Sequence, residues 1–159
     1  MAEPSNLVSL KKEYEKIRQK YKLPPFQYLN EEFEIEKIQE RETELLLKEI
    51  RHIMTEKLAA FLHFIELFIN PTMAPVFILS AMKNLGESDK KLIENIYDNL
   101  VSLELASLAL DISYDEKKEA EFVKNIIKKW QDLRPELQQF SDLLAKIRPK
   151  KEKSKGYVG

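Results

Sequence analysis

The sequence predicts an all-α protein: a single-domain bundle of five or six mostly antiparallel helices, one of them long and central. Three observations carry this expectation. Apolar residues recur at steps of three and four along nearly the whole chain, while the two-residue alternation of a half-buried strand is almost absent. Only 3 glycines interrupt 159 residues, which leaves long stretches without a helix breaker. Charged residues make up 33% of the chain and apolar ones 43%, the balance of helices with one wet and one dry face. A chain of this length buries roughly 70% of the surface its unfolded form exposes, so its core needs no metal or crosslink.

Leu7, Leu10, Tyr14, Ile17 and Tyr21 recur at helical steps, with Lys11, Lys12, Lys16, Arg18 and Lys20 on the other faces. This predicts an amphipathic helix over residues 5–21 with a narrow, coiled-coil-like seam. Leu23-Pro24-Pro25 ends it, because the residue before a proline avoids helical dihedrals. Phe26, Leu29 and Phe33 then predict a short helix that starts at the prolines and buries aromatic rings.

From Glu36 through Asn70 there is neither glycine nor proline. A helix over residues 35–69 would be about 52 Å long, against a diameter of about 40 Å for a compact domain of this size. The sequence therefore predicts a kink, or a polar first half that leaves the body and pairs with the first helix. Opposite charge favours the pairing. Six basic against two acidic side chains give the first helix and its end a surplus of four positive charges, and eight acidic against three basic give Glu31 to Glu49 a surplus of five negative ones.

Leu58 to Ile69 is apolar nearly all round, the mark of an enclosed helix. Asn70-Pro71 stops it, and a second apolar stretch, Met73 to Met82, runs to a glycine stop at Gly86. Residues 58–82 carry one formal charge, Glu66, and are long enough on paper to cross a bilayer. Asn70-Pro71 and Pro75 interrupt the stretch, and His63 and Glu66 would be costly at depth. Two half-length helices in a soluble core are expected, not a transmembrane span.

Ser88-Asp89 opens the next helix, whose inward stripe is Leu92, Ile93, Ile96, Leu100, Leu103 and Leu110. Ser113 to Glu116 has the form of a capping box, with Ser113 as cap and Glu116 reaching back. The helix that follows carries Ala120, Val123, Ile126, Ile127, Trp130 and Leu133 inward, and Pro135 kinks or restarts it. Leu137, Phe140, Leu144 and Ile147 form a last seam that ends at Pro149. The organisation read from this is one helical domain over residues 1–149 and a basic, flexible C-terminal tail over 150–159.

Composition also excludes function classes. With no cysteine, disulfides, thiolate metal sites and cysteine nucleophiles are ruled out. Gly86, Gly156 and Gly159 are too few and too scattered for phosphate-cradling loops or nucleophile elbows. The first residues lack a basic stretch followed by an apolar one, so no secretory signal is read and a cytoplasmic location is expected.

Glu49 and His52 have the Glu-x-x-His spacing of di-iron bundles. The only other histidine, His63, lies about 16 Å further along a helix axis, so the pair completes no site and no metal is expected. Glu66, Glu104 and His63 are the acid–base candidates by their apolar neighbours, but a lone Glu every third or fourth residue on a helix normally marks its wet face. Neither an enzyme nor a cofactor is expected.

Two binding readings remain. Lys146, Arg148, Lys150, Lys151, Lys153 and Lys155 against Glu152 give the end of the chain a surplus of five positive charges, suited to phosphates through counterion release. Lys124, Lys128 and Lys129 beside Trp130 add a small basic patch, although Trp130 falls on the apolar stripe. The other reading is a protein-interaction or assembly component. It rests on the narrow terminal seams, suited to a partner protein or a homodimer, and on Phe26 and Phe33 as an apolar partner-binding pair. The sequence favours the second, with weak nucleic-acid binding through the basic termini as the alternative.

Overall fold

The structure, a computed structural model, describes residues 5–40 and 44–147. In chain order it contains α1 (Ser5–Tyr21), α2 (Phe26–Phe33), a 3-10 turn (Ile35–Glu40), α3 (Leu46–Ile69), a second 3-10 turn (Pro71–Met73), α4 (Val76–Met82), α5 (Glu87–Ile112) and α6 (Glu116–Ile147). No strand occurs among the described residues, and the architecture is an all-α bundle.

Its centre is formed by α3, α5 and α6, each packed on the other two. Side-chain contacts give their directions. Arg51 near the start of α3 meets Ser107 and Asp111 late in α5 and Glu119 at the start of α6. At the opposite end Phe68 of α3 meets Phe140 of α6. Thus α3 and α6 run parallel, with α5 antiparallel to both. The short link from α5 to α6 requires that antiparallel return.

α1 and α2 close as the sequence predicts, by an unusual means. Lys22 and Glu34 take left-handed dihedrals, φ 57° and 55°, which let Leu23 donate its N–H to the Arg18 carbonyl and Glu34 to that of Asn30. Glycine is the usual residue at such a helix end, and a side chain there costs about 1 kcal/mol or more. Tyr14 is fully buried and donates its hydroxyl to the Pro24 carbonyl, pinning the turn after α1. Burial pushes the Tyr14 phenol well above the ordinary tyrosine range.

The uninterrupted helix over residues 35–69 is not observed. Residues 35–40 form a 3-10 turn that packs on α1, and α3 begins only at Leu46. A 3-10 turn stacks residues three apart in one line, which carries both Ile35 and Ile38 into the core. Apolar burial therefore joins this segment to α1. Glu34 and Glu36 are engaged locally, with Lys37 and Asn30. The 24 residues of α3 span about 36 Å, within the width of the domain.

The later elements begin and end close to expectation, with two corrections, at the cap of α6 and at Pro135. Asn70 ends α3, and Gly86 precedes α5, where the Asp89 carboxylate accepts the Gly86 N–H at 2.9 Å. The cap of α6 is Asp115, whose Oδ1 accepts the Lys118 N–H at 3.0 Å. Ser113 closes α5 instead, its N–H donated to the Ala109 carbonyl. Glu116 reaches out to α1, accepting from Tyr21 and Lys20. Helix α6 runs unbroken through Pro135. The proline deprives the Gln131 carbonyl of its helical donor, at a position exposed to water.

Candidate functional site

Position 51 falls on the inward stripe of α3, in phase with Leu47, Met54 and Leu58. Its arginine is fully buried, and so is Glu119 on α6. Arg51 Nε donates to Glu119 Oε2 at 2.6 Å and Nη2 to Oε1 at 3.1 Å, a two-point contact. Nη1 donates to both the hydroxyl and the carbonyl of Ser107, and Nη2 also reaches Asp111 Oδ1 at 2.7 Å. His52 Nε2 meets that same Asp111 oxygen at 2.9 Å.

Burial works against the Arg51 charge, but the hydrogen bonds to Glu119 and Asp111 outweigh it and hold the proton more firmly. The Asp111 carboxyl is held below the ordinary range, chiefly by the Arg51 hydrogen bond, with burial opposing and His52 assisting. Every guanidinium nitrogen is thus engaged within the fold. The cluster locks three helices in register and presents no free donor to a ligand.

A second cluster ties α2 to the central helices. Lys57 donates to the Glu32 carbonyl at the end of α2, and its ammonium lies over the rings of Trp130 and Phe33. Trp130 Nε1 donates to Glu32 Oε2 at 2.8 Å, and Arg134 donates to Oε1 at 3.0 Å. Phe33 is buried here against Trp130. It is therefore a core residue and offers no surface to a partner. Phe26 is half-buried, edge-on to Tyr14 with Lys11 over its ring.

Apolar side chains do reach the surface elsewhere. At the corner after α3, Met73 is 86% exposed, Val76 78% and Phe77 58%, with Ile69 and Leu79 beside them in sequence. On α5, Leu105, Leu108 and Ile112 face outward. For the first stretch the sequence favours a core segment and leaves open a partially exposed hairpin that docks a partner or a membrane surface; it leaves Leu105, Leu108 and Ile112 unassigned. The legible signal was that both stretches are apolar on more than one helical face.

The remaining candidates are dispersed. His63, Glu66 and Glu104 are exposed to solvent, not set in apolar surroundings, and His63 has only a 3.9 Å approach to Glu66. No three metal-ligating side chains converge among the described residues. Lys146 is exposed at the last turn of α6, while Arg148, Lys150, Lys151, Lys153 and Lys155 lie outside the described residues. Lys124 and Lys128 are exposed, but Trp130 faces the core. The terminal seams are used within the chain: Leu10 and Tyr14, and Leu133 and Phe140, are buried. No described helix is long and apolar enough to cross a membrane.

No family model matches this chain, and neither does any curated protein or solved structure.

Proposed function

We propose that this protein is a non-enzymatic interaction or assembly component that engages a protein partner through the apolar corner at α4. The observation that carries the reading is the outward apolar face there. Ile78 and Ala81 already turn inward and close the core, yet Met73, Val76 and Phe77 are more than half exposed. The corner presents apolar area of the order of 500 Å², in the upper range of the largest patch on a typical monomer and a size associated with binding sites. Pro71 and Pro75 flank the 3-10 turn and restrict its backbone, so little ordering entropy opposes docking.

The test is affinity capture from the native host with the wild type and a Val76→Asp, Phe77→Asp double variant, each with and without nuclease. A nuclease-resistant protein partner held by the wild type and lost by the variant is the expected result. An unchanged partner set overturns the α4 reading. Loss of every partner on nuclease treatment points instead to the basic termini and a nucleic acid.

A further inference from the structure

Arg134 differs from Arg51 in what it leaves free. Arg51 uses all three guanidinium nitrogens inside the fold and takes Glu119 through its Nε and Nη2 edge. Arg134 is fixed by one contact, Nη1 to Glu32 Oε1 at 3.0 Å, and 66% of its side chain is exposed. Its own Nε and Nη2 edge, the one with which Arg51 holds a carboxylate at two points, has no partner among the described residues. A planar guanidinium already anchored at one corner has less freedom to lose when an anion meets its open edge.

Arg134 lines an open groove of about 540 Å³ between α2 and α6, inside the range of about 300 to 1,000 Å³ usual for small-ligand sites. Tyr28 and Glu32, one turn apart on α2, form one wall, and Gln131, Pro135 and Gln138 stand beside Arg134 on the other. The half-buried Tyr28 ring and the exposed Pro135 ring supply rigid apolar surface. Pro135 also leaves the Gln131 carbonyl without its helical donor, so an acceptor stands in the same groove as the guanidinium. The carboxylates nearby are already engaged: Glu32 with Trp130 and Arg134, Glu31 with Gln27, Asp142 with Gln138, and Glu136 with Asn95. A second groove of about 590 Å³ lies on the α5 side of Pro135, but amides and charges of both signs line it, without an aromatic ring.

We infer that the α2–α6 groove binds a small aromatic carboxylate that carries an N–H group. The carboxylate meets the open edge of Arg134, the ring lies against Tyr28 and Pro135, and the N–H donates to the Gln131 carbonyl. Two parallel hydrogen bonds to a guanidinium select a carboxylate over a neutral group of the same shape. The groove is open to water on one side, so the complex is weak and sensitive to salt. This site is separate from the α4 corner, and neither proposal needs the other.

Trp130 is the only tryptophan of the chain and lines this groove, so its fluorescence reports occupancy. Titration with N-acetylphenylalanine at neutral pH and low salt gives a saturable change with Kd on the order of 1 mM. N-acetylphenylalanine amide, with the same ring and N–H but no negative charge, binds at least about tenfold more weakly. Arg134→Gln loses at least about tenfold, and Arg134→Lys, which keeps the charge without the fork, recovers only part of it. Pro135→Ala returns a helical donor to the Gln131 carbonyl and removes the ring; it folds with a raised melting temperature and binds about threefold more weakly. The α4 double variant, Val76→Asp with Phe77→Asp, binds as the wild type does. No saturation up to about 20 mM, equal affinity for the amide, unchanged binding in Arg134→Gln or Pro135→Ala, or loss of binding in the α4 variant each overturns the inference.

Discussion

The two ends of the α3–α5–α6 core are closed by different chemistry. At one end a guanidinium and a carboxylate, both fully buried, meet in a two-point contact, with Ser107 and Asp111 completing the donor set. At the other, Phe64, Phe68 and Phe140 stack edge to face. Hydrogen bonds to a buried ion are directional, so the polar end admits one register of the three helices. Ring contacts are tolerant of small shifts, and the aromatic end is where apolar surface spills outward at α4. We read the polar end as the part that sets the alignment and the aromatic end as the part free to vary.

The largest expected effect comes from breaking the polar end on one side. Arg51→Ala leaves Glu119 buried without its partner and should cost about 3 to 5 kcal/mol, measured by urea denaturation. Replacing both, Arg51→Met with Glu119→Leu, removes the unpaired charge and should recover most of that loss, since a buried ion pair is often no more stabilising than apolar residues of similar volume. A double variant as unstable as the single one would show that the pair contributes stability beyond alignment.

The aromatic end should respond less. Phe140→Leu keeps an apolar side chain but gives up the ring contacts with Phe64 and Phe68 and should cost about 1 to 3 kcal/mol. A loss matching that of Arg51→Ala would erase the distinction between the ends. It would mean that the rings are as geometrically specific as the ion pair.

How far the sequence made these ends legible differs for the same physical reason. Helix boundaries depend on local residues, so Tyr21, Phe26, Phe33, Ile69 and Gly86 marked them closely. The Arg51–Glu119 contact joins residues 68 apart in the chain, and no local pattern encodes such a pairing. One trace existed: both residues fall in the inward phase of their helices, beside Leu47 and Met54 in one and Phe122 and Val123 in the other. Opposite charges on two dry faces are a signal that each helix read alone does not show. The break before Leu46 was legible only as a helix too long for the domain, and its position was not, because the 3-10 geometry goes with the burial of Ile35 and Ile38 and not with a breaker residue. Phe33 misled for the converse reason: a ring after two prolines looks available until Lys57, Glu32 and Trp130 are placed around it.

The smallest effect expected, and the one that separates the ends by pH, concerns Asp111. Its carboxyl is held below the ordinary range by Arg51, whereas in the unfolded chain it titrates near about 3.9. The folded state thus binds fewer protons than the unfolded one between those two values. The stabilisation is fully present above the unfolded value and is lost as pH falls through the folded one. With 42% of its side chain exposed, solvent screens the interaction and the contribution is small. Asp111→Asn should therefore flatten the acid limb of stability against pH, below about pH 4. Phe140→Leu should lower stability equally at every pH and leave that slope untouched. Urea midpoints of both variants between about pH 2.5 and 6 provide the comparison. An unaltered acid limb in Asp111→Asn would place the acid sensitivity outside the polar end, and a changed slope in Phe140→Leu would show that the two ends are coupled through α6.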